Sequence, residues 1–151
     1  MRQKILKGSF LIMLGLLAGR LSDLKPVKAQ SSCSVKSLSG SYTYFLNGSY
    51  FDTDNNEYSY SSVGQVTADG NGNLLGAETT DDGATIYQND IVTGTYAINS
   101  NCSGTATFNL ALDEPVNVNL YLTNNSKNAS MIETDDGTQV IGQATQQFPA
   151  N

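Results

Sequence analysis

VNVNLYL, residues 116–122, is the stretch on which the fold class turns. Val116, Val118, Leu120 and Leu122 are apolar, and Asn117, Asn119 and Tyr121 stand between them. Apolar residues at every second position fit an extended strand with one buried face, because successive side chains of a strand point to opposite sides. A helix would instead need apolar residues at i, i+3, i+4 and i+7, and past residue 29 no such stripe lasts longer than a turn.

The same alternation runs outward in both directions. Upstream, Ala106, Phe108, Leu110 and Leu112 alternate with Thr105, Thr107 and Asn109, and residues 91–98 form the strand before that. Residues 73–80 place Leu75, Ala77 and Thr79 on one face and Leu74 and Glu78 on the other. Residues 58–68 precede them, and a first strand sets Tyr42, Tyr44 and Leu46 against Thr43 and Phe45. Downstream lie 129–133 and 138–145, and turn signals rich in Asp, Asn and Gly separate the segments, such as Asp81-Asp82-Gly83 and Asp135-Asp136-Gly137. About eight strands at this spacing predict an all-β domain, either a single antiparallel up-and-down barrel or a two-sheet β-sandwich. The short hairpin connections favour the barrel, as do the glycines inside strands at Gly64, Gly76, Gly94 and Gly142, where a tightly coiled sheet bends.

Residues 1–29 are a different kind of polymer. Arg2, Lys4 and Lys7 precede an apolar run from Phe10 to Ala18 that is too short for a membrane span, and Val27-Lys28-Ala29 offers a cleavage site. This reads as a secretory signal peptide, leaving residues 30–151 as one domain. Six of the 8 Lys and Arg and one of the 14 Asp and Glu fall in the leader, so two cations and thirteen anions remain, a formal charge of −11. That field repels phosphate backbones and anionic lipid, so neither nucleic acid nor a membrane surface is an expected partner once the leader is removed. In a secreted or periplasmic compartment Cys33 and Cys102 are expected to pair as a disulfide.

Leu38-Ser39-Gly40-Ser41-Tyr42 is echoed by Val92-Thr93-Gly94-Thr95-Tyr96, each reading apolar, hydroxyl, Gly, hydroxyl, Tyr. Together with Val63-Gly64-Gln65-Val66-Thr67-Ala68-Asp69-Gly70-Asn71-Gly72-Asn73-Leu74 and Gly104-Thr105-Ala106-Thr107-Phe108, these runs resemble a group of uncharacterised exported bacterial domains. Their shared shape is G-x-Y … T-A-D-G-x-G … G-T-Y, and the resemblance covers nearly all of the mature chain. It implies a small closed barrel, calycin-like or akin to the allene oxide cyclase barrel, and no settled activity. The chain has no Trp, on which avidin-type pockets depend, so no biotin site is carried over.

Chemistry-bearing residues are few. Asp69-Gly70-Asn71-Gly72-Asn73 begins like a calcium loop, but an EF-hand needs Gly at its sixth position and Glu at its twelfth, where Leu74 and Thr80 stand. The run reads as a tight turn, with Asp69, helped by Asp81 or Asp82, kept as a calcium candidate. Asp52 and Asp54 in Asp52-Thr53-Asp54-Asn55-Asn56-Glu57 are the other metal candidates, against a solvated loop. With no His and no nucleophile elbow, hydrolysis would fall to a carboxylate pair, for which Glu78 and Glu133 are the candidates. Both are expected to face water. Tyr42, Tyr44 and Tyr96 are ligand candidates or covers for a barrel end. The expected function is a non-enzymatic exported barrel without cofactor, binding a small molecule, a polymer or a protein. The alternatives are a cyclase or isomerase working inside the barrel and a structural matrix or envelope protein. The interior is expected to be mostly packed by the apolar residues of 106–122.

Overall fold

The structure is a computed structural model that describes residues 32–83, 85–110, 115–123 and 125–149. The expected signal peptide, Leu112 and the Asp113-Glu114 turn lie outside these residues. Among the described residues a short 3₁₀ turn, Val35–Ser37, precedes β1 (Ser39–Phe51), β2 (Glu57–Asp69), β3 (Asn73–Asp81) and β4 (Ile86–Ile98), followed by β5 (Ser103–Asn109), β6 (Val116–Thr123), β7 (Asn128–Glu133) and β8 (Thr138–Phe148). Each strand pairs antiparallel with the next and β8 pairs back to β1, so the sheet closes into an up-and-down barrel. Closure satisfies the backbone of both would-be edge strands, and no edge of the sheet is left to template another chain.

Alternation then sorts the side chains. β6 buries Val118, Leu120 and Leu122 and exposes Asn119 and Tyr121, and β5 buries Ala106 and Phe108 against them. Burying each Val, Leu or Phe contributes about 1.5–3 kcal/mol. Several strands run further than their sequence pattern suggested, β1 and β4 the most. β1 continues through Asn47-Gly48-Ser49-Tyr50-Phe51, whose partners in β2 run from Ser61 to Glu57, because the barrel supplies a partner for every backbone amide even where the side chains are turn formers. β4 begins at Ile86 instead of Ile91, and its pairing with β3 slips between Glu78 and Thr80 at a bulge where Asn89 takes φ 57°. The extra residue shifts the alternation, so that Tyr87 is the half-buried residue and Gln88 and Asn89 are exposed.

The two ends of the barrel are closed differently. At one end lie the start of β1, the end of β8 and the β2–β3, β4–β5 and β6–β7 turns. There the 3₁₀ turn crosses the opening, with Val35 packed on the core and Leu38 buried. Tyr96 donates to the Leu38 carbonyl at 2.5 Å and Tyr42 donates to the Ser126 carbonyl at 3.0 Å. Cys33 and Cys102 form the expected disulfide, pinning the segment before the 3₁₀ turn to the β4–β5 turn. At the other end, the ends of β1, β3, β5 and β7 and the starts of β2, β4, β6 and β8 surround an opening among the described residues.

Because the disulfide closes a loop of 69 residues, replacing both cysteines by Ser should lower unfolding free energy by about 2–5 kcal/mol in urea melts. Free thiols in the folded protein, or a double variant as stable as the parent, would contradict the role given to this bond.

Candidate functional site at the open end

Inside the barrel the strands carry a change of chemistry at one level. Toward the closed end Leu38, Val66, Leu74, Phe108, Leu120 and Met131 surround a void of only about 30 Å³. Toward the open end Tyr60, Thr80, Leu110, Val116, Glu133 and Val140 line a cavity of about 720 Å³. The expectation of a mostly packed interior therefore holds for one half only. It failed because Leu110 and Val116, counted as filling, stand on the cavity wall.

Between the two halves sits a buried hydrogen-bonded carboxylate. Glu78 is 5 % exposed, and its Oε2 accepts from Tyr44 Oη at 2.5 Å and from Ser62 Oγ at 2.6 Å. The expectation that Glu78 faces water is overturned. It shares the Leu74 face of β3, and that face turns inward because two hydroxyls on neighbouring strands wait to donate to it. Gly64 makes the meeting possible: it pairs with Tyr44 on one side and Glu78 on the other, and a Cβ there would lie 2.7 Å from the Tyr44 ring and 2.8 Å from Glu78 Cβ. Burial and then the Glu78 charge push the Tyr44 hydroxyl far above the usual tyrosine range, so it remains a donor.

The cavity above this level has two unlike walls. Tyr50 of β1, Tyr60 of β2 and Tyr87 of β4 line one side, with Thr80 of β3 among them. The bulge at Asn89 is what brings Tyr87 into the cavity lining. The remainder of the lining, from β6 to β8, carries Asn117, Glu133, Asp135 and Asp136, with Thr138 directly beside Tyr50 where β8 pairs with β1. Asp135 is held by a two-point bond, its Oδ2 accepting from the Asn117 backbone N at 2.7 Å and its Oδ1 from Asn117 Nδ2 at 2.8 Å. The Asn117 side-chain oxygen accepts in turn from Thr107 Oγ1 at 2.9 Å. Glu133 is half-buried, and desolvation, followed by repulsion from Asp135, raises its carboxyl to about 7, with the neighbouring Thr138 hydroxyl partly offsetting this.

The residues singled out from sequence fall in separate places. Glu133 lines the cavity, whereas Glu78 lies beneath it, so the two are not the facing pair that glycoside chemistry needs. Tyr42 and Tyr96 belong to the closed end and Tyr44 to the level between. Asp69 forms a turn whose Oδ1 accepts from the Asn71 and Asn73 amides at 2.7 and 3.0 Å, while Oδ2 accepts from Asn73 Nδ2 at 2.7 Å; Gly70 and Gly72 supply positive φ. These bonds hold the Asp69 carboxyl down at about 2, the Asn73 side chain contributing most. Asp52 repeats the device, accepting from the Asp54 and Asn56 amides, from Asn56 Nδ2 and from Tyr58 Oη, and Asp54 is exposed beside it. Among the described residues no three His, Cys, Asp or Glu are grouped to hold a metal ion. The sequence reading missed Tyr50, Thr80, Tyr87 and Asp135. Only the alternation of Tyr50 with Tyr44 could have signalled any of them.

No protein-family profile, curated protein or solved structure matches the chain.

Glu133 gives the fold a pH dependence of definite sign. Its folded pKa lies above the ordinary carboxyl value of 4.5, so the folded state holds a proton that the unfolded chain has lost. The resulting stabilisation is fully present below pH 4.5 and is lost as pH rises through about 7. Urea melts should therefore show stability falling between pH 5 and pH 8, and Glu133→Gln should be more stable than the parent at pH 8 by about 1 kcal/mol, a figure discounted for partial solvent screening. Equal slopes for the two proteins would contradict the assignment.

Proposed function

We infer that this protein is an exported, non-enzymatic binding barrel that takes a small amphipathic ligand into its open-end cavity. The observation that carries this reading is the cavity itself: about 720 Å³, within the range of small-molecule pockets, with aromatic rings on one wall and hydrogen-bonding groups on the other. A structural module would gain nothing from leaving half of its interior unfilled, since unfilled core volume costs stability. The signal-like leader and the resemblance to exported calycin-like barrels support secretion or residence in a periplasm, and the disulfide is consistent with an oxidising compartment.

One observation favours the enzyme alternative. A carboxyl with its pKa near 7 on a cavity wall is suited to general acid–base work. A cyclase or isomerase would also need a second group to steady developing charge, and Glu78, the other sequence candidate, is engaged below the cavity by Tyr44 and Ser62. Binding therefore stands as the primary reading.

The neutral fluorophore N-phenyl-1-naphthylamine should bind with one-to-one stoichiometry and a blue-shifted emission. Val116→Trp, which fills the cavity from a half-buried wall position, should weaken it at least ~10-fold while leaving the far-ultraviolet circular dichroism unchanged. A dye that fails to bind, or that binds the Trp variant as well as the parent, would overturn the cavity reading.

A further inference from the structure

The chemistry of the two walls narrows the ligand. Donors on the acidic side serve the protein's own acceptors in part: one N–H of Asn117 Nδ2 goes to Asp135, and Thr138 Oγ1 donates to the Asp135 carbonyl at 2.7 Å. Carboxylates can accept further bonds after these, since each oxygen has two lone pairs. Thr80 supplies an independent observation. It is 8 % exposed, it lines the cavity, and its Oγ1 is buried without a hydrogen-bond partner. A buried hydroxyl left in this state costs free energy.

Charge sorts along the barrel in the same sense. The described lysines, Lys36 in the 3₁₀ turn and Lys127 in the β6–β7 turn, both lie at the closed end. The groups that face the cavity around Glu133 are Asp135 and Asp136 from the β7–β8 turn, Asp82 from the β3–β4 turn, and the tyrosines Tyr50, Tyr60 and Tyr87 from β1, β2 and β4. Among the described residues no Lys or Arg lines it. Carboxylates and aromatic rings lining one cavity make an environment that suits an organic cation, the carboxylates attracting its charge and the rings its polarised CH groups.

We propose that the cavity is a site for organic ammonium ions, the ammonium group on the Glu133–Asp135 wall and the aromatic or aliphatic body against Tyr50, Tyr60 and Tyr87. This rests on the binding reading given above and names its ligand class. Association of a cation with the Glu133 carboxylate favours its ionised form, so affinity rises with pH through the range in which that group titrates.

The test is calorimetric titration of the intact mature protein with three probes of one shape: 2-(2-naphthyl)ethylammonium, 2-(2-naphthyl)ethanol and 2-naphthylacetate. At pH 8 the ammonium should bind at least ~10-fold more tightly than the alcohol and the carboxylate more weakly than either. Between pH 8 and pH 5 the ammonium-to-alcohol ratio should fall at least ~3-fold, and Glu133→Gln should remove that pH dependence, with an unchanged far-ultraviolet circular dichroism spectrum reporting that the variant is folded. Asp135→Asn is the second variant and should also lower the ammonium preference, since it removes the charge together with one of the acceptors for Asn117. An alcohol that binds as tightly as the ammonium, or a preference unmoved by pH and by both substitutions, overturns the cation assignment and leaves the binding barrel standing. If no probe binds and N-phenyl-1-naphthylamine does not either, both readings fall.

Discussion

The bonds from Tyr44 and Ser62 to the Glu78 carboxylate, made across the bare backbone of Gly64, divide the interior of this barrel in two. A polar cluster this deeply buried is tolerated only when its members satisfy one another, because a lone carboxylate or phenol removed from water carries a large desolvation cost. Three adjacent strands contribute to it, so their register is tied to the bonds: shifting β2 by one residue would turn Ser62 outward and put Val63 against Glu78. Below this level the core packs to a void of about 30 Å³, and above it the cavity opens.

That division sets the stabilised end of the barrel apart from the end proposed to bind a ligand. The closed end collects the disulfide, the 3₁₀ turn and the two tyrosine hydroxyls that reach across to loop carbonyls, each holding a connection that would otherwise be free to fray. The open end leaves Thr80 Oγ1 without a partner and keeps Glu133 beside Asp135 in a half-desolvated place, arrangements that cost folding free energy. Unfavourable local choices concentrated around one cavity are what a binding site produces when its groups await a partner from outside.

How far the sequence reaches follows the same line. The barrel was legible because a period of two in β5 and β6 survives every local exception, and the cysteine pair was legible from the count and the signal-like leader. Strand ends at the open mouth were not: Asn47-Gly48-Ser49 and Gln88-Asn89-Asp90 carry turn residues, yet closure gives them partners, and the bulge at Asn89 resets which side chains face in. Glu78 was readable as a neighbour of Leu74 on one face of β3, but the choice of that face as the inner one depends on Tyr44 and Ser62, two hydroxyls far away in the chain. The cavity was least legible of all. It arises from the length of the strands and the girth of the barrel, and no short run of residues encodes either.

The most direct test of this two-level interior is a two-dimensional amide NMR titration of the labelled mature protein with 2-(2-naphthyl)ethylammonium at pH 8. Shift changes should center on Tyr60, Thr80, Tyr87, Glu133 and Val140, with Tyr42, Tyr96 and Ala106 at the closed end unmoved. Changes centered on the closed end, or on the exposed outer residues Phe45 and Val63, would show that the chamber above Glu78 is not where this protein receives its ligand.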